Sequence, residues 1–385
     1  MRVYTLRSSN KMAFALPVWL AVQEELLGHG EEAEYGTPSC FDGFDDEALF
    51  DYFHLTRPCI AFITDTVRLR MKTVALKKLP LSVDAMVMVA LNYYALGVSS
   101  AAVLQKVGLN LIECPTNIVG TVSGVVAGMS DQFISFPQTP EARTDVALKM
   151  ETFCGIPNVL GVLAPAHFKI RASPYEKDTF RSFVNTQGYT SVMSQIICDS
   201  DGNILSVEKC CVGSTFEQEM WDSSFKGREM EEDLHGPFWV LAGKGYHLSK
   251  HVLTPVSETA TENDIRFNEA HAKIHDVMRT TLGSVKRRFK CLMQLGFAQE
   301  GSLNKKSNII KACSVLHNIA KKFSVPPPPT AGKIEALLPG KQLSAAVEIN
   351  PDALKARQEL IDANFSVGSS SRDPSGSNTT EEEDV

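Results

Sequence analysis

The segment "VLGVLAPAHFKI", residues 159–170, decides how the second half of the chain is interpreted. Its apolar run from Val159 to Ala164 ends at Pro165, and His167 follows. A short continuous apolar run of this kind is typical of a strand that is buried on both faces. In open α/β folds, functional side chains lie beyond the carboxyl ends of such strands. The last position of the run is nevertheless Ala164, which has no functional group.

The composition is that of a globular protein with a substantial core. The chain has 385 residues, of which 44% are hydrophobic and 22% are charged. This length favours two or more domains, or one large domain with an extension. Nine cysteines occur without a CxxC pair, so the sequence favours neither a disulfide framework nor a zinc knuckle. We therefore expect a reducing, intracellular environment and no secretion.

One segment loosely resembles a targeting sequence. Residues 12–22, MAFALPVWLAV, follow Arg2, Arg7 and Lys11, as in a secretory signal. The run continues into Gln23 and two glutamates, which favours an amphipathic first helix instead. No run of about 18 apolar residues occurs, so we expect neither a transmembrane helix nor a membrane partner.

The net charge of −7 is unevenly distributed. Residues 13–55 contain many acids and no Lys or Arg, whereas basic residues cluster at 68–72, 77–78 and 285–290. These local patches permit a nucleic-acid partner, but the overall charge does not demand one.

Residues 1–145 are predicted to form an N-terminal all-helical region. "SVDAMVMVALNYYAL" begins with a Ser cap, has helical apolar spacing and is followed by Gly97. Two further short helices follow, and residues 81–130 are compatible with a helix-turn-helix as well as with a small packed bundle. The third helix, "PTNIVGTVSGVVAGM", has no Arg, Lys or Gln to contact bases, which is an argument against direct DNA readout there.

Residues 146–325 are predicted to form a mixed α/β domain. Two β-rich runs surround the turn-forming sequence Asp199–Asn203, "FEQEMWDSSFKGREM" is predicted to be one helix, and "PFWVLAG" is predicted to be a second buried strand. Two long helices follow, so the sheet is expected to be flanked by helices. Residues 326–385 are predicted to contain a Pro-rich linker, a short helix and a disordered acidic tail.

Several of these segments, in this order, resemble the PIF/Harbinger transposases of the DDE superfamily. "GIPNVLGVLAPAHFKIRASP" is similar to the first catalytic strand, and "FVNTQGYTSVMSQIICDSDGNI" to the segment that follows it. "WVLAGKGYHLSKHVLTP" is similar to the second catalytic strand, and "FNEAHAKIHDVMRTTLGSVKRRFKCL" to the helix that carries the third acid. The resemblance implies an RNase H-like mixed sheet flanked by helices and preceded by the N-terminal all-helical region.

The resemblance also implies where the catalytic acids would lie. The family's two Asp positions fall on Ala164 and Gly243, and its Glu falls on Arg279. Two divalent cations of the Mg²⁺ type need carboxylate oxygens, and here a formal charge of −3 is replaced by +1. We therefore expect no catalytic residue to be intact and no metal cofactor to bind.

Two acids remain as candidates for a residual metal-dependent nuclease. Asp276 lies three residues before Arg279 on the same predicted helix, and an ion pair with that arginine is its simpler role. Asp199 lies in a hairpin turn, where acids are routine. His271 and His275 have the i, i+4 spacing of helical zinc ligands, but no HExxH motif accompanies them.

Five residues are candidates for contacts with phosphate or with an acidic peptide: Arg279, Lys286, Arg287, Arg288 and His167. The resemblance implies DNA or a Myb/SANT-type protein as the partner, and a nuclear location. Three functions stay open: an inactive transposase-derived protein that acts by binding, a residual nuclease, and a protein-only scaffold. No motif indicates a small-molecule substrate.

Overall fold

The computed structural model of the chain describes residues 39–73, 81–109, 116–171, 180–232, 235–296, 303–329 and 350–366. The first helices are α1 (Asp46–Phe53), α2 (Arg57–Thr73), α3 (Val83–Leu96), α4 (Ala101–Lys106), α5 (Thr116–Ala127), α6 (Ser130–Phe133) and α7 (Pro140–Cys154). The strands are β1 (Val159–Lys169), β2 (Ser191–Cys198), β3 (Ile204–Val207), β4 (Cys211–Val212), β5 (Trp239–Ala242) and β6 (Val252–Leu253). The later helices are α8 (Glu217–Ser223), α9 (Phe225–Glu231), α10 (Glu262–Arg288), α11 (Leu303–Lys322) and α12 (Pro351–Asn364).

Two predicted segments, the helix at residues 12–22 and the acidic tail from residue 367, lie outside the described residues. None of the helices within the described ranges is both long enough and apolar enough to span a membrane. The predicted domain boundary at residue 146 falls inside α7, and the boundaries stay predictions.

The strands form one mixed sheet in the order β3-β2-β1-β5-β6, and β4 pairs with β2. The pairs β1–β2 and β2–β3 are antiparallel, whereas β1–β5 and β5–β6 are parallel. This is the strand order of an RNase H-like sheet, with the eleven-residue β1 at its centre. The mixed α/β fold with a preceding helical region is therefore confirmed.

The residues of β1 alternate between two cores, one on each face of the sheet. Val162 and Ala164 belong to the core that also contains Ile274 and Met278 of α10, together with the N-terminal helices. Leu163 belongs to the core on the other face, where α8 and α9 pack. Burial on both faces explains why β1 is a continuous apolar run without the alternation of a half-exposed strand.

The N-terminal helices form a packed bundle on the α10 side of the sheet. The Ser82 hydroxyl accepts a hydrogen bond from the N–H of Ala85 at the start of α3, and Gly97 ends the helix with φ of 77°, as the sequence predicts. α5 packs against α3 and α11, and its residues Val122 and Val126 are buried. The third helix of the region 81–130 therefore faces the core, which favours the packed bundle over a free DNA-reading helix.

The prediction of a single helix at residues 216–230 is wrong. Ser224 has an extended backbone, with φ of −74° and ψ of 157°, and separates α8 from α9. Its hydroxyl accepts a hydrogen bond from the N–H of Gly227 at 2.8 Å and so caps the second helix. A Cβ atom at Gly227 would lie 2.1 Å from the carbonyl oxygen of Trp221, so the close turn between the helices requires glycine.

The buried guanidinium of Arg288 joins three distant parts of the chain. It donates hydrogen bonds to the carbonyl oxygens of His54 at 2.5 Å, Val325 at 3.1 Å and Pro326 at 3.0 Å. The His54 ring completes the connection, because its Nδ1 lies 2.7 Å from the carbonyl oxygen of Arg288. Burial lowers the pKa of Arg288 to about 10. α10 is thereby attached to the ends of both α1 and α11.

We expect Arg288→Met to lower the free energy of unfolding by about 3 kcal/mol, because several buried carbonyl groups would lose their donor. Arg287→Met is the matched control, since Arg287 is the adjacent residue and is only half-buried. It should change stability by about 0.5 kcal/mol or less. Urea unfolding of both variants measures the difference, and equal effects would contradict a structural role for Arg288.

Candidate functional site

Ala164 and Gly243 lie side by side in the centre of the sheet. The parallel register of β1 and β5 pairs Leu163 with Ala242, so the next residues along the two strands are Ala164 and Gly243. Ala164 is buried, and Gly243 follows the last residue of β5. The carboxyl end of β5 and the middle of β1 thus bring the two positions to one level of the sheet.

α10 passes directly over this point. The Nε2 atom of His271 lies 3.1 Å from the carbonyl oxygen of Ala242. A Cβ atom placed on Gly243 would be 3.9 Å from Cε1 of His275. Arg279 lies one helical turn beyond His275, on the same side of the helix. The two strands and α10 therefore meet beside Gly243.

His271 and His275 form a stacked pair beside Gly243. Their ring centroids are 4.7 Å apart and the rings are inclined by 27°. Burial, assisted by the neighbouring imidazole, lowers the pKa of His271 to about 3, and burial lowers the pKa of His275 to about 4. Both rings are therefore neutral at neutral pH. Nε2 of His275 is shielded from solvent and has no hydrogen-bond partner within the described ranges.

The two acidic candidates have structural partners. Asp276 accepts a hydrogen bond from Nε of Arg279 at 3.1 Å. Asp199 accepts from the backbone N–H groups of Asp201 at 3.0 Å and Asn203 at 2.8 Å, which shapes the β2–β3 turn. Since Ala164 pairs with Ile196, Asp199 lies three residues further along β2, roughly 10 Å from that level. Each carboxylate therefore has a structural partner of its own.

The residues at this point do not fit a site for divalent cations. Ala164 and Gly243 supply no side-chain oxygen, and Arg279 supplies a positive charge. Within the parts of the chain that the structure describes, no three His, Cys, Asp or Glu side chains come close enough together to hold a metal ion. A zinc site at His271 and His275 gains no third ligand there, and Nε2 of His271 already faces a carbonyl oxygen.

Three of the five candidate contact residues are buried and have partners inside the protein. Lys286 donates to the carbonyl oxygen of His167 at 3.0 Å and lies over the ring of Phe168. His167 places Nδ1 3.0 Å from Oγ of Ser191, and Arg288 joins the chain segments described above. Their donors face inward because α10 buries that side against β1 and the N-terminal helices. The partly exposed members of the set are Arg279 and Arg287.

A buried polar group behind the sheet was not predicted as a site. Nε2 of Gln195 donates to the carbonyl oxygen of Glu217 at 2.6 Å and to the hydroxyl of Tyr246 at 3.0 Å. Glu217, the first residue of α8, is buried. A Cβ atom on Gly245 would lie 2.9 Å from Oε2 of Glu217. In the sequence, the Gly245-Tyr246 pair after β5 could have indicated this contact, because a glycine lets the Glu217 side chain approach the backbone closely.

An RNase H-like sheet whose two central strands and crossing helix meet at one point is the architecture of the DDE superfamily. In agreement, residues 166–318 match the family described as DDE superfamily endonuclease. That interval begins two residues after Ala164 and includes Gly243 and Arg279.

The chain is also similar over most of its length to proteins named putative nuclease HARBI1. It is 28% identical to the Xenopus laevis protein over 328 residues and to the Homo sapiens protein over 329 residues, and 27% identical to the Rattus norvegicus protein over 327 residues. Each match covers 84% of this chain and 92% of the relative. No solved structure matches the chain. The chain therefore contains a region that matches the DDE superfamily, and it resembles these Harbinger-type relatives over most of its length.

The two histidines predict a pH dependence of stability. Their pKa values in the folded protein lie below the ordinary 6.5, so the unfolded chain takes up protons first as the pH falls. Their contribution is complete above about pH 6.5 and is lost as the pH falls towards 4. We expect His275→Asn to reduce the slope of unfolding free energy against pH in this window by up to about 1.4 kcal/mol per pH unit. Urea unfolding between pH 7 and 4 measures this slope, and parallel curves for the two proteins would contradict it.

Proposed function

We propose that this transposase-derived protein acts by binding and does not cleave DNA. The supporting observation is that Ala164 and Gly243 lie side by side below α10, which carries Arg279, and the resemblance implies that these three residues stand where the family has acids. Water activation by divalent cations needs carboxylate ligands at that point. The neutral imidazole pair and the arginine give it the opposite electrostatic character.

Arg279 is the residue through which the altered site contacts a partner. Its Nε donates to Asp276, which leaves the two terminal amino groups of the guanidinium for a phosphate or a carboxylate. The side chain is 37% exposed, so a ligand can reach it without a change in the fold. A DNA backbone, or an acidic surface on a Myb/SANT-type protein, offers the required oxygens.

Restoring the acids tests whether the site has been assigned correctly. We expect the triple variant Ala164→Asp, Gly243→Asp, Arg279→Glu to be less stable than the native chain without metal, because like charges would be brought together. We expect Mn²⁺ to stabilise it by about 2.7 kcal/mol at a hundredfold excess over Kd. Thermal unfolding with and without Mn²⁺ measures this effect.

The control for that experiment is the neutral triple variant Ala164→Asn, Gly243→Asn, Arg279→Gln, which has side chains of similar size and should not respond to Mn²⁺. The native chain should show no cleavage of duplex DNA with Mg²⁺ or Mn²⁺. Metal-dependent cleavage by the native chain that disappears in Asp276→Asn would contradict the proposal and favour a residual nuclease. A restored triple variant without any Mn²⁺ response would show that the site has been misplaced.

Salt dependence separates DNA binding from a protein-only scaffold. We expect affinity for a mixed-sequence duplex to fall steeply with salt, and Arg279→Gln to weaken it while reducing the slope of log affinity against log salt by about 1. Arg228→Gln is the control, since Arg228 is exposed on α9, on the opposite face of the sheet. Fluorescence anisotropy measures the slope of log affinity against log salt when the salt concentration is varied roughly sixfold, from about 50 to about 300 mM. Absent or salt-insensitive binding would leave the scaffold as the function.

A further inference from the structure

A groove lies at the opposite end of the sheet from Ala164 and Gly243. Its volume is about 640 Å³, which is within the range of small-molecule sites. One wall is formed by the loops that precede β1, β5 and β6, and the other by one side of α12. The lining residues used below are Pro157, Asn158, Pro237, Trp239, Ala356 and Asn364.

The sheet wall of the groove is fixed by backbone pairing. The N–H of Trp239 donates to the carbonyl oxygen of Asn158 at 2.8 Å. The N–H of Val240 donates to the carbonyl oxygen of His251 at 2.9 Å. Asn158 has a left-handed backbone with φ of 58°, a conformation that asparagine tolerates better than most residues. The loops before β1, β5 and β6 therefore hold one another in place without a ligand.

The helical wall is attached to the protein by contacts outside the groove. Nη1 of Arg357 donates to the carbonyl oxygens of Thr254 and Pro255 at 3.2 Å each. At the end of the helix, the ring of Phe365 packs edge-on against Phe267 at 5.8 Å. Because neither contact uses the groove, the cavity is already formed and a ligand would not have to order α12.

The groove combines one large aromatic side chain with carboxamides. Trp239 is half-buried, two prolines line the same cavity, and Ala356 on α12 fills little of the space. Asn158 and Asn364 line the same cavity. The Asn158 side chain is exposed, whereas Nδ2 of Asn364 donates to the carbonyl oxygen of Leu360 at 2.8 Å. A carboxamide offers a donor and an acceptor side by side, which matches the N6/N7 edge of adenine. Indole rings are stacking surfaces for nucleobases.

We propose that this groove binds a purine ring, either as a free nucleoside or as an unpaired purine of a nucleic acid. The base stacks on Trp239, and its polar edge pairs with the carboxamide of Asn158. The site is separate from the altered catalytic point, because β5 places Trp239 four residues before Gly243, roughly 13 Å away. Purine binding is thus independent of whether Arg279 contacts DNA.

Isothermal titration of the full chain with adenosine tests the proposal. We expect a Kd in the micromolar range, weakened about tenfold or more by Ala356→Phe, which fills the groove. Ala363→Phe is the control on the same helix, since Ala363 is exposed and does not line the groove, and it should bind adenosine like the native chain. Asn158→Gly removes the carboxamide, keeps the left-handed backbone accessible and should also weaken binding.

Two comparisons identify the ligand chemistry and its source. The proposal would be overturned if indole bound as tightly as adenosine, or if adenosine did not bind at about 5 mM. Equal affinities of the Ala356→Phe and Ala363→Phe variants for adenosine would also overturn it. A thymidine decamer with one central adenosine distinguishes the sources. If the decamer binds only when it contains the adenosine, and binds less tightly to the Ala356→Phe variant, the purine comes from a nucleic acid. Binding of adenosine alone supports a free nucleoside.

Discussion

The buried guanidinium of Arg288 is the interaction on which the position of α10 depends. Within the described ranges it has no carboxylate partner, so its desolvation is offset by three backbone carbonyl oxygens and by the reciprocal contact with His54. These acceptors belong to segments that lie 234 and 37–38 residues away along the chain. The other end of α10 begins with a capping box at Thr261 and Asp264. A helix fixed at both ends cannot slide, and so His275 and Arg279 have defined places above the sheet.

The point where Ala164, Gly243 and α10 meet has a simple electrostatic balance. Three carboxylates at one point repel one another unless cations offset their charge. Ala164 and Gly243 bring no charge to this point, and the Arg279–Asp276 pair is internally balanced. The stacked imidazoles beside Gly243 are neutral at neutral pH because burial lowers the pKa of each ring. The residues present at this point therefore have no excess of negative charge for a cation to offset.

Local features of the fold could be predicted from the sequence, whereas the structural roles of the basic residues Lys286 and Arg288 could not. β1 and α3 carry their signals within a few residues, in the uninterrupted apolar run and in Ser82 and Gly97. Converging strands and helix were expected at Ala164 and Gly243 because the order of the segments resembled a known family. Lys286 and Arg288 instead looked like exposed members of a basic helix face. Their partners, at His167 and His54, lie more than one hundred residues away, and no spacing within "VKRRFK" indicates them.

The groove beside Trp239 could not be foreseen for the same reason, since its two walls lie more than one hundred residues apart in the sequence. Its position has a mechanical consequence. Groove and altered site occupy opposite ends of β5, whose backbone is paired on both sides with β1 and β6. Such a strand resists bending, so a ligand in the groove does not displace Gly243 or the helix above it. If the contacts proposed for Arg279 and for the groove are both made, a nucleic acid long enough to reach both would gain affinity by engaging them at once.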